Sequence, residues 1–339
     1  MTWLVWRQHR NQAYLAAAAL AAFAVLLVVT GRQMASQYQS ALAACTPSHA
    51  CGNLANTLIL GTPLLSLLVT LTVVVPCLLG IFWGGPLVAR EFETGTNQFA
   101  WMQSVSRRRW LTVKVGWALL AAGAWGGAVS ALVTWWSSPV NALKSQNFQP
   151  GQFDIQGIVP VGYALFAVAL GIAAGTLLRR TLPAMAITLV VFTFLRLVIG
   201  QDLRSHYLTA ITKTFSFLQG PAHSPALPTG SYWVVSQGLV GPRGLIPASR
   251  PHGVGISVGF HGLSVSLNNM PSACQRLALA GDPRGIFPCL TARGYRGLFI
   301  TYQPASRYWA FQGFETGIFV LLAAVLIIVT AIVVRRRDA

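Results

Sequence analysis

Six long apolar runs divide this chain, and none of them carries an acidic residue in its interior. They lie near residues 13–30, 57–82, 113–136, 158–178, 184–200 and 314–334. Because about 20 apolar residues of helix are needed to cross a hydrocarbon core about 30 Å thick, each run predicts a membrane-spanning helix. Charged residues make up only 9% of the 339 residues, too few for the surface of a soluble protein. The sequence therefore predicts an all-α polytopic membrane protein with six transmembrane helices.

Basic residues indicate which ends of these helices face the cytoplasm, because Lys and Arg in short loops stay on that side of the membrane. The basic residues beside the runs are Arg7, Arg10, Arg90, Arg107 to Arg109, Arg179, Arg180 and Arg335 to Arg337. Their positions predict cytoplasmic N- and C-termini and external segments at 31–56, 137–157 and 201–313. The tryptophans and arginines of residues 1–12 suit a short interfacial helix.

Four of the five cysteines fall in segments predicted to be external, which is the pattern of an oxidising compartment. They are Cys45, Cys51, Cys274 and Cys289. Four cysteines allow three pairings. We predict the local disulfides Cys45–Cys51 and Cys274–Cys289, since each closes a short loop; free thiols are the alternative.

Residues 201–313 predict a small folded domain that contains β-strands. Apolar residues alternate with glycine and serine from Val254 to Phe260, which is the pattern of a short strand. Further candidate strands are Ser231–Val240 and Leu298–Tyr302. We therefore expect residues 13–200 to form helices one to five, 201–313 an extracellular domain, and 314–339 the sixth helix with a basic tail.

The cytoplasmic loop at 84–112 holds two of the seven acidic residues of the chain, Glu91 and Glu93. Its stretch 90–105 includes no proline, and its apolar residues recur at helical spacing. Acidic residues at the start and arginines at the end suit the dipole of a helix. The loop therefore predicts a short helix along the membrane; a solvated loop whose charges keep it in the cytoplasm is the alternative.

The loop resembles the intracellular loop of ATP-binding-cassette exporter permeases of the second (ABC-2 type) superfamily. The resemblance lies in the run Arg90–Thr96, in Ser106-Arg107 and in Lys114. The six-span layout, with a cytoplasmic N-terminus and a large external segment before the last span, is also similar to that family. The runs Arg179–Pro183 and Tyr302–Arg307 resemble its actinobacterial branch. The external segment is longer than those of simpler members.

The resemblance implies a coupling helix that contacts a soluble ATPase subunit. The residues it assigns to this helix and its attachment are Glu91, Phe92, Glu93, Gly95, Thr96, Phe99, Arg107, Arg108, Arg109 and Lys114. The glutamates would form ion pairs with the ATPase, the phenylalanines would hold the helix against the spans, and the basic residues would fix the loop at the lipid headgroups. Two ATPase subunits, which bind ATP and magnesium, and a second permease subunit, identical or paralogous, complete the implied complex.

The motifs that are missing agree with a pore-forming subunit. The chain has no G-x-x-x-x-G-K-[ST] sequence, so we expect it to bind no nucleotide by that route and to be no enzyme by itself. No span interior carries an acidic residue or histidine that could relay protons or perform acid–base chemistry. His252 and His261 lie in a glycine-rich stretch without a nearby acid or cysteine, so we expect no metal site and no cofactor in this chain.

Polar and aromatic residues of the second and fifth spans are candidates for a translocation path and its gate. The candidates for the path are Thr62, Ser66, Thr70, Phe192 and Phe194. The hydroxyls share one face of the second span, and they either line the path or bond to carbonyls of their own helix. Arg196 either pairs with Glu315 as an outer gate or reaches the headgroups.

Glycines mark possible contact faces on two other spans. Gly123 and Gly127 lie in the third span, and Gly171 and Gly175 lie in the fourth. Small residues four positions apart let helices approach closely. We therefore predict a close-packed face on each of these spans.

As a whole, the sequence predicts the membrane subunit of an ATP-driven exporter in the bacterial plasma membrane. An apolar path with scattered hydroxyls suits an amphipathic drug, peptide or lipid, moved outward at the interface of a dimer. The alternative is a membrane-anchored sensor or scaffold whose external domain binds a ligand and whose cytoplasmic loop recruits a signalling partner. Membrane lipids are expected partners in both cases, and nucleic acid is not.

Overall fold

The structure is a computed structural model that describes residues 2–44, 70, 73–95, 106–144, 148, 150–217, 232–247, 257–260, 263–266, 270–280 and 283–337. The chain divides into two compact units. We call Met1–Arg204 together with Tyr308–Ala339 the membrane unit, and Ser205–Arg307 the inserted unit.

The helices and strands of the described residues have the following bounds. The helices are α1 (Thr2–Ala44), α2 (Val73–Glu93), α3 (Arg107–Lys144), α4 (Pro150–Phe153), α5 (Val159–Leu178), α6 (Thr181–Val198), α7 (Ser272–Leu279), α8 (Pro283–Thr291) and α9 (Tyr308–Arg337). The strands are β1 (Ile211–Ser216), β2 (Tyr232–Gly241), β3 (Gly244–Pro247), β4 (Ser257–Phe260), β5 (Leu263–Ser266) and β6 (Gly297–Pro304). α2 contains a π-helical stretch, Gly80–Gly84, and α6 continues into a second one, Ile199–Leu203.

Six helical stretches of the described residues are long and apolar enough to cross a membrane, as predicted. They are Tyr14–Gln37, Val73–Glu93, Arg108–Ser138, Val159–Leu178, Thr181–His206 and Ala305–Arg336. α1 begins at Thr2 without a later break, so the stretch predicted as an interfacial helix is the first part of the same helix. The second stretch ends at Glu93 rather than at residue 82, because the last turn of α2 finds hydrogen-bond partners on α3 and α6. Residues 57–69 of that predicted span lie outside the described part.

α5 is the central helix of the membrane unit and contacts α2, α3, α6 and α9. α5 and α2 approach each other so closely that glycine is required at their contact positions. A Cβ atom at Gly84 would lie 2.6 Å from the carbonyl oxygen of Val168, and one at Gly175 would lie 2.7 Å from that of Gly85. A Cβ at Gly171 would meet the carbonyl oxygen of Gly80. The close-packed face predicted on the fourth span is therefore confirmed.

The glycines predicted to pack closely on the third span behave differently. A Cβ at Gly123 would have its nearest neighbour at 3.6 Å and one at Gly127 at 3.9 Å, which are ordinary contacts. The tight position on α3 is Gly126, where a Cβ would lie 3.2 Å from the Cβ of Ala164. Gly123 and Gly127 therefore face α5 as predicted, but the closest approach of the two helices is at Gly126.

The inserted unit contains a small antiparallel sheet, as the sequence predicted. Its strand order is β1-β6-β2-β3, and β4 pairs with β5 in a separate hairpin. Alternate residues of β6 pack with α7 and α8 in one core, formed by Leu239, Met270, Cys274, Ile286, Leu290, Leu298, Ile300 and Tyr302. The two helices that cover this face were not predicted from the sequence. The extracellular position of the unit stays a prediction.

One predicted disulfide lies within the described residues. Cys274 of α7 is bonded to Cys289 of α8, with Cα atoms 5.7 Å apart, so this pairing is confirmed. Cys45 and Cys51, predicted to form the other disulfide, lie outside the described residues.

Candidate functional site at the two ends of the helix bundle

One end of the membrane unit joins the end of α2, the start of α3, the ends of α5 and α9 and the start of α6. Its apolar core includes Leu87, Val88, Phe92, Trp110, Leu111, Val115, Ile172 and Val334. By the predicted topology this end faces the cytoplasm. We call it the coupling end, since it holds the residues that the sequence assigned to ATPase coupling.

A buried ion pair connects α2 to α3 at the coupling end. Lys114 Nζ donates a hydrogen bond to Glu91 Oε1, and the two side chains are 4% and 13% exposed. The ammonium also lies 5.0 Å from the centre of the Trp110 ring. Lys114 was predicted at the headgroups and Glu91 at the ATPase surface; the structure turns both inward, because each neutralises the other away from water.

A second carboxylate connects α2 to α6. Glu93 Oε1 accepts the backbone N–H of Thr181 at 2.7 Å, and Oε2 accepts its hydroxyl at 2.6 Å. Thr181 is the first residue of α6, and Arg180 before it provides no side-chain cap. A helix start has N–H groups without intrahelical partners and a partial positive charge, so a carboxylate stabilises it. Glu93 therefore caps a helix other than its own.

The other predicted residues of this end fall into three groups. The ring of Phe92 faces Arg179, whose Cζ lies 5.1 Å from the ring centre, and Gly95 has a φ of +69° just past the end of α2. A left-handed glycine there terminates a helix without steric strain. Arg108 and Arg109 are exposed, whereas Thr96, Phe99 and the side chain of Arg107 lie outside the described part.

The opposite end of the membrane unit holds a second buried ion pair. Arg204 Nε donates to Glu315 Oε2 at 2.8 Å, and its Nη2 donates to Glu315 Oε1 at 2.7 Å. The two side chains are 2% and 1% exposed. The same Nη2 forms an ion pair with Asp154. One guanidinium thus joins α6, α9 and the segment that follows α4.

Arg196 and Tyr163 extend this pair into a network. Arg196 Nη1 donates to the carbonyl oxygen of Val73 at 2.5 Å, and Nη2 lies 3.4 Å from Asp154 Oδ2. Its Cζ lies 4.7 Å from the centre of the Tyr163 ring, and the hydroxyl of Tyr163 donates to Glu315 Oε1 at 2.5 Å. We call Asp154, Tyr163, Arg196, Arg204 and Glu315 the outer network, because the topology predicted from the sequence places this end outside.

The sequence predicted a direct pair between Arg196 and Glu315. Both residues belong to the outer network, but Glu315 bonds to Arg204 and Tyr163, while Arg196 bonds to Asp154 and Val73. The prediction of a direct pair is wrong because the fifth span passes its predicted end at residue 200. That extension brings Arg204, which the sequence assigned to the external domain, onto Glu315.

Neutral groups hold the outer network in place. Gln312 of α9 accepts the backbone N–H groups of Ile158 and Val159 at 2.9 and 3.0 Å, and donates to the carbonyl of Phe153 at 3.1 Å. The Phe153 ring centre lies 4.5 Å from Cζ of Arg204. The start of α5 is therefore fixed to α9 beside the charges.

The family model described as ABC-2 membrane transporter related matches residues 17–204, more than half of the chain. The chain belongs to this family. No curated protein and no solved structure matches it. As a member of the ABC-2 membrane transporter related family with six apolar helices, it is a multi-pass protein of the plasma membrane, of the kind that forms the permease component of ABC transporters. Its assignment to an actinobacterial branch stays a prediction.

The residues predicted to line a path in this ABC-2 family chain lie at different places. Thr62 and Ser66 are outside the described residues, and Thr70 occupies an exposed position. Phe192 is 2% exposed and packs against the rings of Tyr163 and Phe166, so it belongs to the bundle core. Phe194 is 63% exposed.

Four residues of the two sites were not recognised from the sequence: Asp154, Tyr163, Thr181 and Arg204. The rarity of acidic residues could have pointed to Asp154, because the chain has only seven. Four of those seven take part in the two sites. Arg204 gave no such signal, because its role depends on how far α6 extends. Among the described residues no cluster of three His, Cys, Asp or Glu side chains could hold a metal ion.

Proposed function

We propose that this chain is the permease subunit of an ATP-driven exporter. A soluble ATPase, which its family implies, binds the coupling end in two copies, and a second permease subunit, identical or paralogous, completes the path. The chain is not an enzyme by itself: ATP and magnesium bind to the partner. The cargo is an amphipathic drug, peptide or lipid that moves outward.

The observation that carries this proposal is that the described part of α2 is held near both of its ends. Val73, at its start, accepts a hydrogen bond from Arg196 of the outer network, and the last turn of α2 holds Glu91 and Glu93 at the coupling end. The 21 residues from Val73 to Glu93 extend about 31 Å, which is the thickness of a hydrocarbon core. Displacement of the cytoplasmic loop therefore reaches the outer network through one helix.

The two carboxylates determine what moves with α2. The Glu91–Lys114 pair links α2 to α3, and the Glu93–Thr181 bonds link α2 to the start of α6. When the ATPase subunits close on ATP and displace the loop between α2 and α3, the three helices move together. The long contact from Arg196 to Asp154 is the weakest of the outer network, so it is the first to open.

The experiment is a charge swap in the permease–ATPase complex. The tagged chain is purified from its native host in mild detergent, the soluble protein that copurifies is identified by mass spectrometry, and its ATP hydrolysis is measured. We expect an ABC ATPase at equal stoichiometry. Glu91→Lys should abolish the stimulation of hydrolysis by the permease, because it leaves two buried cations in contact, and Glu91→Lys with Lys114→Glu should restore it.

Two outcomes would contradict the proposal at different steps. Absence of an ABC ATPase from the wild-type preparation rejects the exporter function. A copurifying ATPase with no rescue by the double variant keeps the exporter function but rejects the link between α2 and α3 as its coupling element, since Glu91 then acts by contacting the ATPase itself. Arg296→Glu, which lies in the inserted unit, is the control for a charge change outside the coupling end.

The membrane-anchored sensor is the weaker hypothesis. The family match covers residues 17–204, which include all or most of five of the six spans and none of the inserted unit. A kinase or other signalling protein in place of an ATPase in the same purification would favour the sensor.

A further inference from the structure

The disulfide of the inserted unit has one protected and one more accessible sulfur. Cys274 is 0% exposed and lies in the core of the unit, whereas Cys289 in the last turns of α8 is only partly buried. An external thiolate must approach a disulfide sulfur directly, so it meets Cys289 first.

A guanidinium lies against both sulfurs. Arg293 Nη1 is 3.0 Å from Cys289 Sγ and 3.5 Å from Cys274 Sγ, and it also lies 3.4 Å from the carbonyl oxygen of Cys289. Backbone bonds from Arg293 and Gly294 to the end of α8 hold the residue there. A cation next to sulfur stabilises a thiolate, and therefore stabilises the reduced form of the pair.

The position of Cys274 in α7 makes its sulfur the better leaving group of the two. It is the third residue of α7, where the positive end of the helix dipole stabilises a thiolate. Burial opposes a negative charge on this sulfur, and the helix start together with Arg293, 3.5 Å away, offsets that cost when the accessible sulfur is attacked. The disulfide therefore has an accessible sulfur to attack and a stabilised sulfur to release.

The inserted unit as a whole is basic. Its sequence contains one acidic residue, Asp282, which lies outside the described part, whereas Lys213, Arg243, Arg276 and Arg296 are exposed. A field of one sign raises the local concentration of small ions of opposite charge. A thiol that carries carboxylates is accordingly drawn to this unit more than a neutral or cationic thiol.

We propose that Cys274–Cys289 is an exchange site for anionic low-molecular-weight thiols, with Arg293 as the residue that stabilises the thiolate. The thiolate of the external thiol attacks Cys289 Sγ, the bond between the cysteines breaks, and Cys274 leaves as a thiolate beside Arg293. A second thiol then attacks the mixed disulfide, which releases the oxidised external disulfide and the Cys289 thiolate. Two electrons pass from two external thiols to the protein, whose helices α7 and α8 lose their covalent link.

The test uses the full-length protein in detergent and glutathione as the anionic thiol. The protein is equilibrated with mixtures of reduced and oxidised glutathione, alkylated, and digested, and the peptides of Cys274 and Cys289 are quantified by mass spectrometry. We expect Arg293→Gln to lower the equilibrium constant for reduction about tenfold, which is about 30 mV for this two-electron couple. Arg296→Gln, which removes a charge from the same unit without touching sulfur, should change it less than about twofold.

A second measurement keeps the proposal testable if Arg293→Gln does not fold. In the wild-type protein, glutathione should reduce the disulfide faster than cationic cysteamine at equal thiolate concentration, and Arg293→Lys should keep that order. Three results would overturn the proposal: a disulfide that resists reduction throughout the glutathione range, equal constants for wild type and Arg293→Gln, or equal rates with the two thiols.

Discussion

Single charged residues decide which helix faces can meet in the membrane unit. An unpaired charge away from water is strongly unfavourable, and a partner in contact removes much of that penalty. Lys114 and Arg204 are 4% and 2% exposed, and each contacts a carboxylate from another helix. In each pair the two residues come from helices that pack mainly against α5, so each pair fixes how two of these helices are placed relative to each other around α5. The pairs therefore favour one arrangement of otherwise interchangeable apolar surfaces.

We expect Glu315→Gln to destabilise the protein by about 3–5 kcal/mol, because Arg204 keeps its charge but loses its fully buried partner. Arg204→Met combined with Glu315→Leu should recover most of the loss, since no buried charge is then left from that pair. The measurement is thermal unfolding in detergent, followed by circular dichroism. Glu93→Gln is the control, since Glu93 is exposed and loses only a helix cap, so its loss should be clearly smaller than that of Glu315→Gln. Equal losses for Glu315→Gln and Glu93→Gln would contradict this account.

At the scale of helices, the contact between α2 and α5 depends on glycine. We expect Gly171→Ala to destabilise the protein by about 1–3 kcal/mol, because the added methyl group meets the backbone of Gly80 and Gly85. Gly123→Ala should be neutral or stabilise by about 0.5–1 kcal/mol, since its nearest neighbour would be 3.6 Å away and alanine favours a helix. Chemical unfolding of both variants in detergent measures the difference. If both alanines have the same effect, the close approach of α2 and α5 does not depend on the glycines.

Features that depend on local patterns could be predicted from the sequence, whereas those that depend on packing could not. Spans follow from length and apolarity, and the Cys274–Cys289 pair follows from a short separation of 15 residues. The resemblance drew attention to Glu91 and Lys114, but whether they face each other depends on how α2 and α3 are placed around α5. No local pattern indicated that the helix continues from α6 to Arg204. In the sequence the charge of Arg204 indicates the end of a span, whereas in the structure Arg204 forms a buried ion pair.

At the scale of the whole molecule, exposed charge separates the two ends of the membrane unit. Exposed arginines at the coupling end are Arg90, Arg108, Arg109, Arg179, Arg180, Arg335 and Arg336. At the opposite end Arg32 of α1 is exposed, but the arginines of the outer network are paired and largely buried. Since exposed arginines near span ends stay in the cytoplasm, the coupling end should face inward. The ATPase is cytosolic, so the proposed function requires this orientation.

We therefore expect Arg296→Cys to react with a membrane-impermeant maleimide in intact cells, and Arg108→Cys to react only after the cells are opened. Both variants are made in a background with Cys45→Ser and Cys51→Ser, and the background alone is the control, since Cys77 is buried and Cys274 and Cys289 are bonded to each other. Labelling of Arg108→Cys in intact cells would place the coupling end outside. That result would leave the family and the fold intact, but no cytosolic ATPase could then reach Glu91 and Glu93, and the proposed coupling through α2 would be excluded.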